Sequence, residues 1–274
     1  MTFKTLAAVL AVVLVAGCSN STAATSDSGP SGTMVLATTT STQDSGLLDV
    51  LLPAFDEGSD CSVKTVAVGS GQAMKMGEKG DADVLLVHSP AAEEKFMAAG
   101  HGSSREPVMH NDFVVVGPPA DPVGLAGAAT ASAALKRIAD RQAPFASRAD
   151  DSGTNAKELA LWKAAGVRPT GRWYVATGQG MGATLTIASQ KQAYTLADRG
   201  TFLATKGLQL KVLFEDSADL RNDYHVIVVD HEGVNTACAT AFADWVRDRP
   251  AQELIAKYGI EKYGEALFFA DAKR

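Results

Sequence analysis

Phe145-Ala146-Ser147-Arg148-Ala149-Asp150-Asp151-Ser152-Gly153-Thr154 stands between a short run typical of a strand and a helical pattern over residues 155–165. Ser152, Gly153 and Thr154 fall where the first helical turn should begin. Such a turn leaves backbone N–H groups unpaired and carries the positive end of the helix dipole. Arg148 precedes this turn, so its guanidinium can close over a bound anion. The stretch predicts an oxyanion site; the structural alternative is an N-cap beside an Arg148–Asp150 pair.

Three other strand-to-helix junctions are rich in hydroxyl groups or glycine, at residues 38–46, 69–72 and 177–182. The first begins with the hydroxyl run Thr38-Thr39-Thr40-Ser41-Thr42, which lies between a strand and a helix start and supplies donors without charge. The structural alternative is a plain loop with a capping residue. Ligands of open parallel sheets lie outside the carboxyl ends of the strands, where such junctions gather. The four junctions together predict a small anion that is held between two lobes.

Two similar segments indicate how the chain passes between those lobes. Residues 111–116 and 222–229 both begin with Asn-Asp and an aromatic residue, and both look like strands. They predict a pair of hinge strands in an α/β fold. We therefore assign residues 33–112 and 226–274 to lobe I and residues 113–225 to lobe II. Residues 100–107 are expected to form a loop.

The N-terminus has the pattern of an exported lipoprotein. Lys4 precedes an apolar run over residues 6–15, and Ala16-Gly17-Cys18 completes a lipobox-like sequence. The run is too short to span a bilayer as a stable helix. We expect residues 1–17 to be a signal peptide and Cys18 to carry lipid, the alternative being an ordinary cleaved signal peptide. Residues 18–32 are interpreted as a flexible tether.

The net charge and the cysteine content indicate which partners the protein binds and whether it contains a disulfide. The formal net charge is −6, and no basic cluster is present, which argues against nucleic acid as a partner. Besides Cys18, the chain contains Cys61 and Cys238. In an exported protein this pair favours one disulfide. Two buried thiols are the alternative.

The sequence does not favour an enzyme or a metal site. Ser70 lies between glycines but lacks the G-x-S-x-G pattern of a nucleophile elbow. None of the five histidines has metal-ligand spacing. His88, at the end of the apolar strand over residues 83–88, is more typical of a hydrogen-bonded histidine than of a catalytic base. We expect no catalytic residues, no metal and no cofactor.

These motifs closely resemble those of the substrate-binding lipoproteins of tungstate ABC transporters, the TupA family. The matching stretches cover essentially the whole mature chain: Thr38 to Leu48, Val68 to Ala73, Gly80 to His88, Asn111 to Phe113, Ser147 to Thr154, Gly178 to Gly182 and Asp198 to Thr201. The departures are mild. Ser70 stands where threonine is common in that family, and Ala149 where glycine is common.

The resemblance implies a type II periplasmic-binding-protein fold, in which each lobe is a mixed sheet flanked by helices and the ligand lies in the cleft. It also implies a monomer that binds tungstate and delivers it to a membrane permease driven by a cytoplasmic ATPase. The residues expected to bind the oxyanion are Thr39, Thr40, Ser41, Ser70, Arg148, Ser152, Gly153 and Thr154. A second tier consists of Gly71, His88, Asp150, Gln179, Met181 and Arg199.

More distant phosphate-binding proteins share the Arg-x-Asp-x-Ser-Gly-Thr pattern. In them the aspartate fixes the arginine, which makes an Arg148–Asp150 pair compatible with anion binding. They also place a carboxylate near the end of the third strand, where this chain has His88. We interpret the missing carboxylate as a feature that helps to exclude hydrogen phosphate. Molybdate or phosphate transport and an anion sensor remain the alternative functions.

Overall fold

The computed structural model describes residues 29–272, so the predicted signal peptide and Cys18 lie outside the described residues. The strands of this range are β1 (Ser31–Thr39), β2 (Asp60–Val68), β3 (Val84–Val87), β4 (Gly102–Gly117), β5 (Phe145–Ser147), β6 (Tyr174–Ala176), β7 (Thr195–Asp198), β8 (Lys211–Phe214), β9 (Arg221–Val229) and β10 (Phe269–Ala270). Its helices are α1 (Thr40–Ser45), α2 (Leu48–Glu57), α3 (Ser70–Glu78), α4 (Pro90–Ala98), α5 (Ala131–Asp140), α6 (Gly153–Ala164), α7 (Met181–Lys191), α8 (Arg199–Ala204), α9 (Thr236–Arg247), α10 (Arg249–Lys257) and α11 (Ile260–Tyr263). In this range no helix combines the length and the apolar character needed to cross a membrane.

The first lobe is a mixed sheet with the strand order β10-β4-β9-β3-β1-β2. β1 runs parallel to β2 and β3, whereas β9 runs antiparallel to β3 and to β4. All four residues of β3 are buried and apolar, as expected of a strand covered on both faces. β1 begins at Ser31, so its first two residues fall within the stretch assigned from the sequence to the tether.

β4 connects the two lobes as one strand of 16 residues. Its residues 102–112 pair with β9, and its residues 113–117 pair with β7 and β8 of the second lobe. The prediction of a loop over residues 100–107 was wrong, because β4 already begins at Gly102. Pro107 lies at an irregularity in the register, where a strand tolerates the missing N–H. Residues 221–225, assigned from the sequence to lobe II, likewise pair with β4 in the first sheet.

Three strands of the second lobe, β5, β6 and β7, end at the side of that lobe that faces the first lobe. β5 is parallel to β6, and a parallel bridge between Phe145 and Tyr194 aligns it with the chain that enters β7. The carboxyl ends of these strands therefore lie at one edge, followed by the N-termini of α6, α7 and α8. In the first lobe the carboxyl ends of β1, β2 and β3 are followed in the same way by α1, α3 and α4. The interlobe face is thus built from helix N-termini on both sides.

A disulfide crosslinks a strand and a helix of the first lobe. Cys61 in β2 and Cys238 in α9 are bonded through their sulfur atoms, at a sequence separation of 177. Both side chains are buried in the same apolar cluster. The bond therefore joins the edge strand of the sheet to a helix from the C-terminal part of the chain.

Replacing both Cys61 and Cys238 with serine is expected to lower the free energy of unfolding by about 3 kcal/mol. A crosslink across a loop this long removes much of the entropy of the unfolded chain. Urea denaturation of the oxidised protein and of the double variant measures the difference. Reduction of the parent protein with dithiothreitol should produce the same loss, and equal stabilities would contradict this role of the disulfide.

Candidate functional site

The loop between β5 and α6 holds Arg148 in one fixed conformation. The Arg148 side chain is 1% exposed, and its Nε and Nη2 atoms donate to Oδ2 of Asp150 at 3.1 and 2.5 Å. Oδ1 of Asp150 accepts the backbone N–H of Ser152 at 3.3 Å. Ser152 in turn caps α6 by accepting the N–H of Asn155 at 3.1 Å. The cap and the ion pair therefore coexist, and each supports the position of the guanidinium.

Arg148 also joins the two lobes. Its Nη2 atom donates to the hydroxyl oxygen of Thr40 in α1 at 3.0 Å, and its Nη1 atom donates to that of Thr154 in α6 at 3.4 Å. Because both hydroxyl groups act as acceptors in these contacts, each keeps its own hydrogen for donation elsewhere. One cation thus organises hydroxyl groups from both sides of the cleft.

The hydroxyl-rich run Thr38-Thr39-Thr40-Ser41-Thr42 ends β1 and begins the short helix α1, so it is not the plain loop of the structural alternative. Thr39 caps α1 by accepting the N–H of Thr42 at 3.2 Å, and Gly46 ends the helix with a φ of 82°. Serine and threonine are poor helix formers in isolation, so packing decides the conformation here. The hydroxyl of Thr201 in α8 donates to the backbone carbonyl of Ser41 at 3.1 Å across the lobes.

His88 lies directly beneath α1 and contacts its first hydroxyl groups. The Nε2 atom is 3.1 Å from the hydroxyl oxygen of Thr39 and 3.2 Å from that of Ser41. The Nδ1 atom is 2.9 Å from Oδ1 of Asn222, and the ring stacks on Tyr224 with centroids 4.6 Å apart. These contacts fix both the position and the orientation of the imidazole.

The charge state of His88 follows from its surroundings. Burial, and then the positive charge of Arg148, lower the pKa of His88 to about 3 despite the hydrogen bond to Asn222. The ring is therefore neutral at physiological pH. Nδ1 carries the hydrogen and donates it to Asn222, so Nε2 is an acceptor for a hydroxyl group of α1.

Comparison with known proteins identifies the family. The family model of the PBP superfamily domain matches residues 20–249. The tungstate-binding protein TupA of Peptoclostridium acidaminophilum is 51% identical over 249 residues, which cover 89% of this chain and 87% of that protein. The chain belongs to the TupA family of periplasmic binding proteins. The sequence-based assignment of family and fold class is confirmed.

Solved structures agree with this assignment. The tungstate ABC transporter structure from Geobacter sulfurreducens superposes with a TM-score of 0.74 at 48% identity, covering 82% of this chain and 98% of that one. TupA from Desulfovibrio alaskensis G20 gives a TM-score of 0.73 at 41% identity, with 89% and 100% covered. These relatives are named as binding and transport proteins, in agreement with the prediction that the chain is not an enzyme.

The structure brings most of the predicted site residues together. Hydrogen bonds link Thr39, Ser41 and His88 in one group. They link Arg148 with Thr40, Asp150 and Thr154 in a second group. The two groups are joined through the backbone of residues 39–41, and together we call them the site network. Ser70 begins α3, and its hydroxyl oxygen is buried without a hydrogen-bond partner within residues 29–272. Gly71 lies opposite the arginine loop, but its N–H donates to the carbonyl of Asp151 at 3.1 Å and so serves the interlobe contact.

Gly153 packs closely against the first lobe. A Cβ atom at this position would lie 2.5 Å from the carbonyl oxygen of His88 and 2.7 Å from its Nδ1 atom. Only a glycine allows α6 of the second lobe to begin so near the end of β3. The observed contact between α6 and His88 therefore requires a residue without a side chain at position 153.

Three second-tier candidates lie apart from this network. Gln179 is exposed, and Met181 is fully buried in an apolar cluster of the second lobe. Arg199 pairs with Glu215 at 2.6 Å and with Glu265 at 3.9 Å. Arg199 is the first residue of α8, and both carboxylates come from segments that follow this helix in the chain. The described contacts give Arg199 a structural role.

Two asparagines and one aspartate of the site were not singled out from the sequence. Asn222 accepts from His88 and donates through Nδ2 to Oδ1 of Asn111 at 2.7 Å, so the buried network reaches both hinge strands. The paired Asn-Asp segments indicated two strands, but they did not indicate the hydrogen bond between Asn222 and Asn111. Asp44 accepts the N–H of Gly182 at 3.4 Å and thereby links α1 to α7 of the other lobe. In residues 29–272 no cluster of three or more histidine, cysteine, aspartate or glutamate side chains is suited to a metal ion.

Proposed function

We propose that the chain is an extracytoplasmic solute-binding lipoprotein that captures tungstate between its lobes and delivers it to an ABC permease driven by a cytoplasmic ATPase. The observation that carries the proposal is the buried guanidinium of Arg148, which donates to Thr40 in one lobe and to Thr154 in the other. A cation so placed suits a dianion that both lobes surround. The tungstate-binding and tungstate-transport functions for which its relatives are named support tungstate as that dianion.

Tungstate is a fully ionised tetrahedral dianion at neutral pH, so its oxygens only accept hydrogen bonds. The site supplies donors to match: the guanidinium, the hydroxyl groups of Thr40 and Thr154, and the buried hydroxyl of Ser70. Charge-assisted hydrogen bonds contribute roughly 1.5–3 kcal/mol each. Several of them, less the costs of ordering and lobe closure, are consistent with nanomolar affinity, or about −12 kcal/mol.

We further propose that the mature protein is a monomer without a cofactor, tethered to a membrane by lipid on Cys18. The apolar run over residues 6–15 and the Ala16-Gly17-Cys18 sequence support export and lipidation. The disulfide between Cys61 and Cys238 supports an oxidising compartment. Labelling of cells with radioactive palmitate tests the lipid anchor, because Cys18→Ser should abolish the incorporation.

Isothermal titration of the mature protein with tungstate, molybdate, sulfate and phosphate tests the ligand assignment. One-to-one tungstate binding, with molybdate clearly weaker, would support a dedicated tungstate carrier. Equal binding of tungstate and molybdate would widen the function to both oxyanions. Binding of phosphate alone would refute the proposal.

The replacement His88→Asp is expected to weaken tungstate binding by about ten- to a hundredfold and to introduce measurable phosphate binding. His88 is neutral and its Nε2 lone pair is directed at hydroxyl groups of α1. A carboxylate there would repel a fully ionised dianion but would accept the proton of hydrogen phosphate. Titration calorimetry with both anions measures the change.

The exposed His231 provides a matched control, since His231→Asp makes the same chemical change far from the network. Thermal denaturation shows whether the buried carboxylate is tolerated by the fold. A folded His88→Asp variant that gains no phosphate binding and retains full tungstate affinity would contradict this account of selectivity.

A further inference from the structure

Asp198 is a buried carboxyl group at the interlobe face with only one of its oxygens engaged. It ends β7 and caps α8, where Oδ1 accepts the N–H of Thr201 at 2.8 Å. Oδ2 is buried and has no hydrogen-bond partner within the described part of the chain. An ionised oxygen left without a donor is costly inside a protein. Protonation would remove that cost.

None of the groups around Asp198 donates a hydrogen bond to its Oδ2 atom within residues 29–272. Thr201 of the same helix donates its hydroxyl to Ser41, so α1 packs directly against this corner. On the hinge strands, the hydroxyl of Tyr224 and the Nδ2 atom of Asn111 are buried and also lack partners in residues 29–272. Arg199, the adjacent residue, is directed to Glu215 and Glu265 instead.

The positive charge that acts on Asp198 is that of Arg148, the cation of the oxyanion site. Burial raises the pKa of Asp198 to about 6, while the hydrogen bond from the backbone N–H of Thr201 and the charge of Arg148 act in the opposite direction. A dianion bound at Arg148 would cancel this attraction and add repulsion. Both effects raise the pKa of the carboxyl group further.

We propose that Asp198 takes up one proton from solvent when the site binds its dianion, so that the carboxyl group is neutral in the complex. The inference rests on the proposed function, because it requires a dianion at Arg148. The proton bonds to the unpartnered carboxylate oxygen of Asp198, and no bond to the anion forms or breaks. In the complex, Asp198 therefore adds no negative charge beside the bound dianion.

The direction of the pH dependence follows from linkage. The pKa of Asp198 is higher in the complex than in the free protein, so low pH favours the complex. Affinity is highest below the pKa of the free protein and falls as pH rises from there to the pKa of the complex. Above pH of about 6 the Kd for tungstate should therefore rise by up to about tenfold per pH unit, the limit for one linked proton.

Three other titratable groups interact with Arg148 and must be distinguished from Asp198. Asp44 in α1 has its pKa raised by burial and lowered by the N–H of Gly182 and by Arg148. His88, under α1 and against Tyr224, has its pKa lowered to about 3. Asp150 is held in its ion pair with Arg148. Asp44→Asn is thus the matched comparison for Asp198→Asn, because each removes one carboxylate near the same cation.

Titration calorimetry with tungstate at pH 7, in PIPES and in imidazole buffer, counts the protons exchanged. The parent protein and Asp44→Asn should take up close to one proton, whatever the effect of Asp44→Asn on affinity. Asp198→Asn should take up none, and its Kd should be nearly constant between pH 6 and pH 8. Asparagine keeps the Oδ1 acceptor for Thr201 and is as good an N-cap, so we expect the variant to fold.

Infrared difference spectra of the parent protein give a second readout that needs no variant, since binding should add a protonated-carboxyl C=O band. Tungstate binding without proton uptake in the parent protein, or unchanged uptake in Asp198→Asn, would overturn the role of Asp198 and leave the proposed function standing. Failure of the parent protein to bind tungstate at any pH would refute both.

Discussion

Replacing Arg148 with alanine is expected to weaken tungstate binding by about a thousandfold. The guanidinium is buried, fixed by Asp150 and shared between Thr40 and Thr154, so its loss removes the cation and disorganises donors on both lobes. Two charge-assisted hydrogen bonds at roughly 1.5–3 kcal/mol each account for this loss, since 1.4 kcal/mol is about tenfold. Titration calorimetry of the parent protein and the variant measures it.

The alanine variant also leaves Asp150, whose side chain is 17% exposed, without its partner. The double variant Arg148→Ala/Asp150→Asn removes both charges and keeps an oxygen for the N–H of Ser152. It should bind as weakly as the single variant. Arg172→Ala removes an exposed positive charge from the same lobe and should bind tungstate normally. Tungstate affinity retained in the double variant would exclude Arg148 as the central anion ligand.

Local sequence patterns were enough to predict the arginine loop. Arg148, Asp150, Ser152 and Thr154 lie within seven residues, so their contacts depend mainly on the conformation of one turn. An N-cap and a pair between residues two apart are short-range features that a sequence displays directly. The four strand-to-helix junctions were likewise recognisable, because hydroxyl residues and glycine interrupt apolar runs.

Long-range packing explains what the sequence did not reveal. His88 meets Asn222 across 134 residues, and no local pattern marks that contact. The start of β4 is polar and contains a proline, so it resembled a loop until its pairing with β9 was known. α1 is helical despite its serines and threonines, because Thr39 caps it and the hydroxyl groups of Thr39 and Thr40 contact residues of different lobes.

Arg199 is the converse case, a residue that the sequence suggested for the site but that the fold pairs with carboxylates instead. From the sequence, an arginine beside a glycine in a family motif was a candidate for anion binding. The fold instead places Glu215 and Glu265 within reach of its guanidinium. Asp198, the residue before it, was quoted only as part of that motif, because its buried and half-paired state arises from α1 and the hinge strands.

The replacement Gly153→Ala is expected to reduce tungstate affinity by about a thousandfold by keeping the lobes apart. Its Cβ atom would lie 2.5 Å from the carbonyl oxygen of His88 and 2.7 Å from its Nδ1 atom. Neither atom can move away, because the imidazole is held between Asn222 and Tyr224 and the carbonyl belongs to the end of β3. The lobes must separate to relieve the clash, and donors from one side, at roughly 1.5–3 kcal/mol each, are then lost to the anion.

Calorimetry and small-angle X-ray scattering together distinguish this mechanism from simple destabilisation. Gly153→Ala should melt near the parent temperature, because each lobe keeps its own core, yet should show a larger radius of gyration in the presence of tungstate. Gly58→Ala is the matched control, since its nearest neighbours would be 3.9 Å from the new Cβ atom. A Gly153→Ala variant that compacts and binds tungstate like the parent protein would mean that the contact between α6 and His88 is not required for capture, and that the anion is held mainly by one lobe.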